Sequence, residues 1–292
     1  MFIFYKFERF SRLFTTESQT SLKTTFFKEN YEMEKIDYAT LKKIALLAGE
    51  KIMEVYQRED FSTITDFKAD DSPLTLADKE SHIVISTMLA EAFPQIPVLS
   101  EEGKTIAYSE RENWTKFWCV DPLDGTKEFI NRNGQFTVNI ALIENGKPMV
   151  GIIYIPVTKE FYYGNIGVEA IKEDENGIKP LNTQKRKQNL IAVGSKSHST
   201  PEEKELLEKM GVTDVVSKGS SLKFCMIAEG KADVYYRHGP TMEWDTAAGQ
   251  AIVEAAGGVV LDSDKKPFSY NKQNLLNGSF YCLSNKELIS LL

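Results

Sequence analysis

The sequence predicts a layered protein of mixed α+β and α/β class, with a larger N-terminal domain built on an antiparallel sheet and a smaller C-terminal α/β domain. Two observations lead to this prediction. The first observation is that short apolar segments alternate with turns up to about residue 180, and the Asn-Gly pairs at 145–146 and 176–177 are typical of β-hairpins. The second is that apolar strands alternate with helical patterns from about residue 190 onward.

The helices are predicted from apolar spacing and from end signals. A first helix capped by Asp37 has apolar residues at every third or fourth position on one face, namely Leu41, Ile44, Ala45, Ala48, Ile52 and Val55. A second helix, ended by Pro94 and Pro97, is predicted to bury Val84, Ile85, Met88, Leu89 and Ala92. Later helices are expected to open at Thr200-Pro201, within SSLKFCMIAEG, and at Asp245 as an N-cap.

Domain limits are predicted from a change of pattern at the charged stretch TQKRKQN, residues 183–189. We expect an α+β domain over residues 33–186 and an α/β domain over residues 187–292. Residues 1–32 are rich in Phe, Ser and Thr. We expect them to be a disordered leader or a stretch upstream of a true start at Met33.

Charge and cysteine usage limit the classes of function. The formal net charge of −7 argues against a nucleic-acid polymer as partner. Cys119, Cys225 and Cys282 have no paired spacing, which predicts reduced, buried packing residues and a cytoplasmic location. Apolar runs stay short of the ~18 residues of a membrane span. The leader leaves organellar targeting or peripheral inner-membrane association open, and oligomeric state is not indicated.

The most informative segment is WCVDPLDGT, residues 118–126. An apolar strand ends on Asp121, and Pro122 and Gly125 then turn the chain, so that Asp121, Asp124 and the Leu123 carbonyl can converge. These are hard oxygen ligands of the kind that Mg²⁺ prefers. A plain turn is the alternative for an isolated Asp-Gly pair.

Further carboxylates occur at the ends of strands or the starts of helices. Glu101 follows an apolar strand in SEEG, Asp245 precedes the TAAGQA segment, and Thr75 with Asp78 fits a capping box. Capping alone would also explain Asp78 and Asp245. Without metal, carboxylates packed this closely repel one another and some take up protons, so such a cluster implies bound cations.

The motifs SEEG, DPLDGT and WD, in this order, resemble those of the inositol monophosphatase superfamily of metal-dependent phosphatases. The segments KADDSPLTLAD, GSKSH and GSSLKFCMIAEGKADVYYRHGPTMEWDTAAGQAI resemble the bacterial 3′(2′),5′-bisphosphate nucleotidases within it. The resemblance extends from about residue 37 to the end of the chain. It implies a layered αβαβα fold of the sugar-phosphatase type.

The resemblance also implies roles for individual residues. Two or three Mg²⁺ ions would be held by Glu101, Asp121, the Leu123 carbonyl, Asp124 and Asp245. Asp78 and Thr126, together with Glu101, would act in catalysis by orienting and deprotonating the attacking water. The backbone N–H groups of Gly125 and Thr126, at a predicted helix start, would cradle the phosphate.

Substrate specificity is expected to depend on the C-terminal domain. The resemblance suggests that the remainder of a small phosphorylated nucleotide is held, together with Asp245, by Ser195, Lys196, His198, Ser220, Lys223 and Arg237. Solvated surface is the alternative for Lys196 and Arg237, and His82 is expected to be structural. The implied reaction is hydrolysis of adenosine 3′,5′-bisphosphate to AMP and phosphate, with 3′-phosphoadenosine 5′-phosphosulfate as a second candidate substrate. An inositol or other sugar phosphatase and a non-catalytic phosphometabolite sensor are the alternatives.

Overall fold

A computed structural model describes the chain over residues 36–58, 65–67, 73–186, 188–194 and 200–292. Leu41–Leu292 form one compact unit. The predicted leader, residues 1–32, lies outside the described ranges. The predicted domain boundary near residue 186 stays a prediction.

The helices begin where the sequence supplies capping groups or proline. Asp37 Oδ1 accepts a hydrogen bond from the N–H of Thr40 at 2.8 Å, as predicted for the first helix. Thr200 caps the helix that opens with Pro201. In the described ranges the helices are α1 (Tyr38–Tyr56), α2 (Leu76–Ala92), α3 (Tyr108–Arg111), α4 (Thr126–Ile130), α5 (Pro201–Lys209), α6 (Leu222–Ala228) and α7 (Glu243–Ala255), with a 3₁₀ helix over Lys286–Leu291.

A seven-stranded sheet contains the predicted hairpins. Asn145 and Gly146 both have positive φ, which suits a tight hairpin turn, and Asn176-Gly177 marks the second predicted hairpin. The first pair of strands is parallel and the others are antiparallel. The strands lie side by side in chain order: β3 (Val98–Ser100), β4 (Lys116–Asp124), β5 (Thr137–Glu144), β6 (Lys147–Ile155), β7 (Glu160–Asn165), β8 (Glu169–Asp174) and β9 (Gly177–Pro180).

A five-stranded mixed sheet is formed by the C-terminal part of the chain. Its order is β11 (Val212–Ser217), β10 (Leu190–Gly194), β12 (Val234–Arg237), β16 (Phe280–Leu283) and β14 (Val259–Asp262). Two short antiparallel pairs accompany the large sheets: β1 (Thr65–Phe67) with β2 (Pro73–Thr75), and β13 (Thr241–Met242) with β15 (Leu276–Asn277). The sequence did not predict β1, β2, β11, β13 or β15.

Helix α7 is fixed against one face of the seven-stranded sheet and packs on β4 to β7. A Cβ atom at Gly151 would lie 2.5 Å from the carbonyl oxygen of Ala248, and one at Gly164 would lie 2.5 Å from Cα of Ile252. Glycine at both positions therefore allows the helix backbone to approach the sheet closely. The position of α7 against the sheet depends on this contact.

Two predictions about the helices are wrong in detail. Ala92 is exposed, because it is the last residue of α2, where the periodic pattern no longer guarantees a packing partner. Asp245 is not an N-cap, because α7 begins at Glu243 and Asp245 is its third residue.

Cys119, Cys225 and Cys282 are free and buried, as predicted. None of the helices in the described ranges has the length and apolar character that crossing a bilayer requires.

Candidate metal centre

Three carboxylates from separate parts of the chain come together. Glu101, Asp121 and Asp245 each have one carboxylate oxygen within 4.8 Å of those of the other two. Strand pairing explains the first two, because Ser100 of β3 is in register with Val120 of the parallel strand β4. The N–H of Glu101 also donates to the carbonyl of Val120 at 3.1 Å, so that Glu101 lies beside Asp121.

The turn after Asp121 is held by specific contacts. Asp121 Oδ1 accepts a hydrogen bond from the N–H of Leu123 at 3.0 Å, and the register of β4 with β5 shifts between Asp121 and Asp124. The Pro122 carbonyl accepts a hydrogen bond from Ser81 Oγ at 2.7 Å. Gly125 has φ +94°, a conformation that favours glycine, and leads directly into α4. The segment thus forms the sharp turn that the sequence predicts.

Asp124 is held by a different set of groups. Its Oδ2 accepts hydrogen bonds from Ser220 Oγ and Ser221 Oγ, both at 2.7 Å, and from Asn139 Nδ2 at 3.4 Å. Ser220 Oγ also lies 2.8 Å from Thr137 Oγ1. The hydroxyl of Ser220 orients the predicted metal ligand Asp124, and the expected contact of Ser220 with substrate stays a prediction. Ser221, Asn139 and Thr137 were missed by sequence reasoning, although Ser221 belongs to the quoted GSS motif.

Asp78 and Thr126, the two residues expected to act on the attacking water, are in hydrogen-bond contact. Thr126 Oγ1 donates a hydrogen bond to Asp78 Oδ1 at 3.3 Å. The other carboxylate oxygen accepts one from the N–H of Thr75 at 2.8 Å, as the predicted capping box requires. Burial raises the pKa of Asp78 to about 6, against the opposing effect of the Thr75 hydrogen bonds. Asp78 therefore caps α2 and contacts Thr126 at the same time.

Asp245 is oriented by the backbone at the start of α7. Its Oδ2 accepts a hydrogen bond from the N–H of Met242 at 2.8 Å, in the reciprocal arrangement of a capping box. The side chain is therefore fixed relative to the helix axis. A carboxylate held in this way is suited to act as a metal ligand.

The electrostatics of the cluster favour a bound cation. Burial raises the pKa of Asp121 well above its ordinary value, and the neighbouring Glu101 and Asp124 raise it further. Burial also raises the pKa of Asp245, followed by the charge of Asp124. A divalent ion would relieve this repulsion. The three donors are carboxylate oxygens, the ligand type that Mg²⁺ prefers, so the donor set fits Mg²⁺.

Two cationic side chains occupy the C-terminal side of the site. Lys223 is buried, its Nζ donates to the Ser220 carbonyl at 2.6 Å, and it lies 5.4 Å from the centroid of the Tyr235 ring. Burial lowers the pKa of Lys223, while Asp124 opposes this effect and Arg237 adds to it. Arg237 is half-buried, and its Nε has no hydrogen-bond partner within the described ranges. It is therefore not the solvated surface residue that was the alternative.

Other predicted residues are not assigned by the geometry. Ser195, Lys196 and His198 lie outside the described residues. His82 Nδ1 lies 2.9 Å from Ser100 Oγ, next to Glu101, in keeping with its expected structural role. The Leu123 carbonyl as a metal ligand stays a prediction.

A sequence model of the inositol monophosphatase family matches residues 32–291. The chain belongs to the inositol monophosphatase family. It is 47% identical over 240 residues to the 3′(2′),5′-bisphosphate nucleotidase CysQ of Salmonella typhimurium, covering 81% of this chain and 95% of that protein. It is 45% identical over 238 residues to the protein of the same name from Escherichia coli K12, covering 81% of this chain and 95% of that protein.

Solved structures agree with this membership. CysQ from Bacteroides thetaiotaomicron, described as a bacterial member of the inositol monophosphatase family, matches with a TM-score of 0.75 and 43% identity, covering 85% of this chain and 98% of that one. An inositol monophosphatase from Anabaena (Nostoc) sp. matches with a TM-score of 0.68 and 25% identity, covering 87% and 92%. The predicted layered fold is confirmed by these neighbours.

Proposed function

We propose that the chain is a magnesium-dependent 3′(2′),5′-bisphosphate nucleotidase that hydrolyses adenosine 3′,5′-bisphosphate to AMP and phosphate. The observation that carries the proposal is the convergence of Glu101, Asp121 and Asp245 in a chain 43–47% identical to CysQ proteins. The partner is a small phosphorylated nucleotide, not a nucleic-acid polymer. 3′-Phosphoadenosine 5′-phosphosulfate is a second candidate substrate, and the cytoplasmic location stays a prediction.

The cations would be held by Glu101, Asp121, the Leu123 carbonyl, Asp124 and Asp245, which offer oxygen donors for two or three Mg²⁺ ions. When bound, the ions act as Lewis acids on the phosphoryl oxygens and make water a stronger nucleophile at neutral pH. Ser220 and Ser221 support this role, because their hydroxyls engage one oxygen of Asp124 and so fix its orientation. Rigid support of this kind is typical of metal ligands.

Thr126 and Asp78 would orient the attacking water and receive its proton. The hydroxyl proton of Thr126 is committed to Asp78 Oδ1, so the lone pairs of Thr126 Oγ1 remain to accept a hydrogen bond from water. The carboxylate of Asp78 is the group to which a proton can pass through this hydroxyl. A base with a pKa near 6 is mostly ionised at neutral pH and still retains basicity.

Recognition of the second phosphate would depend on Lys223 and Arg237. Lys223 is buried, and the buried Nε of Arg237 has no hydrogen-bond partner in the described part of the chain, so a phosphate group bound here can replace lost solvation. Ser195, Lys196 and His198 are proposed to complete the nucleotide site. The N–H groups of Gly125 and Thr126 are proposed to contact the phosphate that is removed.

The experiment that tests the proposal is a phosphate-release panel with and without Mg²⁺. The substrates are adenosine 3′,5′-bisphosphate, 3′-phosphoadenosine 5′-phosphosulfate, inositol 1-phosphate and fructose 1,6-bisphosphate. We expect kcat/KM for adenosine 3′,5′-bisphosphate to exceed that for inositol 1-phosphate by at least about 100-fold, as expected when about 3 kcal/mol of polar recognition separates them. A preference for inositol 1-phosphate contradicts the nucleotidase assignment. Ligand binding without Mg²⁺-stimulated release indicates a sensor.

A further inference from the structure

A buried polar network surrounds the first turn of α7, next to the predicted metal ligand Asp245. It consists of Arg111, Glu243 and the segment 271–277, and we call it the α7 clamp. Arg111 is 2% exposed and Glu243 is completely buried, so both charges are held away from water. Buried charges are costly unless they are well paired, and here neither group belongs to the proposed chemistry.

Glu243 binds the clamp segment directly. One carboxylate oxygen accepts a hydrogen bond from the N–H of Asn271 at 2.8 Å. The other accepts from the N–H of Lys272 at 3.0 Å and from Lys272 Nζ at 2.7 Å. The N–H of Glu243 donates to the Leu275 carbonyl at 3.0 Å. The first residue of α7 is thus bonded to the clamp segment through both its side chain and its backbone.

The remainder of the segment closes around the same turn. Lys272 Nζ donates to Asn277 Oδ1 at 2.8 Å. Asn277 Nδ2 in turn donates to the Met242 carbonyl at 2.9 Å and to Thr246 Oγ1 at 3.1 Å. Met242 is the residue whose N–H orients the carboxylate of Asp245. The clamp therefore fixes the residues on both sides of the metal ligand.

Arg111 connects the clamp to the segment that carries another predicted ligand. Its guanidinium donates to Asn271 Oδ1 at 2.8 Å, to the Lys272 carbonyl at 2.7 Å and to the Gln273 carbonyl at 3.0 Å. Asn271 Nδ2 donates back to the Arg111 carbonyl at 2.7 Å. Arg111 ends α3, ten residues after Glu101. The contacts thus join the chain that follows Glu101 to the turn that holds Asp245.

We propose that Arg111 and Glu243, acting through the 271–277 segment, are positioning residues that set the spacing between Glu101 and Asp245 and thereby the affinity for the divalent cation. This role rests on the proposed function, because it assumes that these two carboxylates bind Mg²⁺. Groups that orient metal ligands typically contribute on the order of 10- to 100-fold in metal affinity.

Replacing a positively charged side chain of the clamp distinguishes an effect of positioning from a simple effect of charge. A positive charge disfavours binding of a nearby cation, so an electrostatic effect alone predicts tighter Mg²⁺ binding when Lys272 or Arg111 is replaced. Loss of positioning predicts the opposite, because the start of α7 is released. We therefore expect Lys272→Met and Arg111→Met each to weaken Mg²⁺ binding on the order of 10-fold.

Mg²⁺ affinity is measured by titration calorimetry on the metal-free protein, and the Mg²⁺ half-saturation and the substrate KM are measured for phosphate release. We expect the half-saturation for Mg²⁺ to rise in both variants, while KM at saturating Mg²⁺ changes less than about twofold, as expected for residues that do not touch substrate. Arg186→Met is the matched control, because Arg186 pairs with Asp233 at 2.6 Å next to the five-stranded sheet. It should lower stability without altering Mg²⁺ affinity.

Lys272 is one-third exposed, so its replacement keeps the test valid if Arg111→Met does not fold. Unchanged or tighter Mg²⁺ binding in Lys272→Met overturns the positioning role while leaving the proposed function intact. A wild-type protein that binds no Mg²⁺ overturns the proposed function and this proposal together. Equal losses in Lys272→Met and Arg186→Met also overturn the positioning role, because they indicate a general effect of reduced stability.

Discussion

Thr126 Oγ1 donates a hydrogen bond to Asp78 Oδ1 at 3.3 Å, across 48 residues of sequence. Replacement of Thr126 by Ala removes the hydroxyl that is proposed to orient the attacking water. We expect kcat to fall on the order of 100- to 10,000-fold, the usual contribution of acid–base catalysis, with KM changed little. Steady-state phosphate release measures both. Thr126→Ser keeps the hydroxyl and should retain most activity; equal losses in the two variants would contradict the role.

Asp78 makes the stability of the metal-free protein depend on pH. Its pKa is raised from the ordinary 3.8 to about 6 in the folded protein, so the folded state binds this proton more tightly than the unfolded state. Its stabilising contribution is present below pH 3.8 and is lost as pH rises through 6. The difference amounts to at most about 3 kcal/mol. Asp78→Asn should therefore reduce the fall in free energy of unfolding between pH 5 and pH 8.

The test of this pH effect is urea unfolding of wild-type and Asp78→Asn protein in excess chelator at both pH values. Replacement of Glu91, an exposed residue of the same helix, by Gln is the control and should leave the pH dependence unchanged. A pH dependence of equal size in wild type and Asp78→Asn would show that other groups are responsible. Because Asp78 is also proposed to receive a proton, Asp78→Asn should be nearly inactive at either pH.

Ser221 is one of two adjacent serines, with Ser220, through which the C-terminal half of the chain supports Asp124. Its Oγ donates to Asp124 Oδ2 and lies 2.9 Å from Asn139 Nδ2. Ser221→Ala leaves Asp124 with fewer donors, and we expect the Mg²⁺ half-saturation to rise on the order of 10-fold. Ser86→Ala, which removes a hydroxyl 3.2 Å from His82 Nδ1, is the control and should leave it unchanged. Equal Mg²⁺ half-saturation values for Ser221→Ala and Ser86→Ala would exclude a role for Ser221.

The elements that depend on local sequence were predicted well. The turn at Asp121, the two Asn-Gly hairpins and the capping box of Asp78 each follow from residues within a few positions of one another. At Asp121 and Asp78 the same short segment determines the backbone conformation and supplies the candidate functional carboxylate. The three carboxylates were assigned to one metal site by the resemblance to the inositol monophosphatase superfamily, and their positions at the end of a strand or the start of a helix agree with that assignment.

The contacts that support the site could not be predicted in the same way. Arg111 reaches Asn271 over 160 residues, and Ser221 reaches Asp124 over 97, so no local pattern connects the partners. Asp245 was misplaced as an N-cap for the same reason. Its helix begins two residues earlier, where Met242 pairs with Leu276 in a short strand contact that only the tertiary fold creates.

Gly164 tests whether the position of α7 governs the site. A Cβ atom at this position would lie 2.5 Å from Cα of Ile252, and the backbone of α7 can yield only by moving away from the sheet. Overpacking of this kind typically costs about 1–3 kcal/mol. We expect Gly164→Ala to lower the free energy of unfolding by this amount and to weaken Mg²⁺ binding, measured by urea unfolding and calorimetry. Gly278→Ala should do neither, because the added Cβ would have no atom within 4 Å among the described residues other than its own chain neighbours.

Lys223 provides the most direct test of the substrate class. Its ammonium group is buried beside Ser220 and Tyr235, where a phosphate of the substrate can bind it. A hydrogen bond to a charged group contributes about 1.5–3 kcal/mol, so Lys223→Met should raise KM for adenosine 3′,5′-bisphosphate about 10- to 150-fold. KM for adenosine 3′-monophosphate, which lacks the second phosphate, should change much less.

The comparison of the two substrates is made by steady-state phosphate release at saturating Mg²⁺. Lys127→Met, in the first turn of α4 and exposed, is the control and should leave the ratio of the two KM values unchanged. If Lys223→Met raises both KM values equally, Lys223 supports the reacting phosphate or the fold and does not select for a second phosphate. A selective rise places the second phosphate at Lys223, because only the bisphosphate then loses a charge-assisted contact.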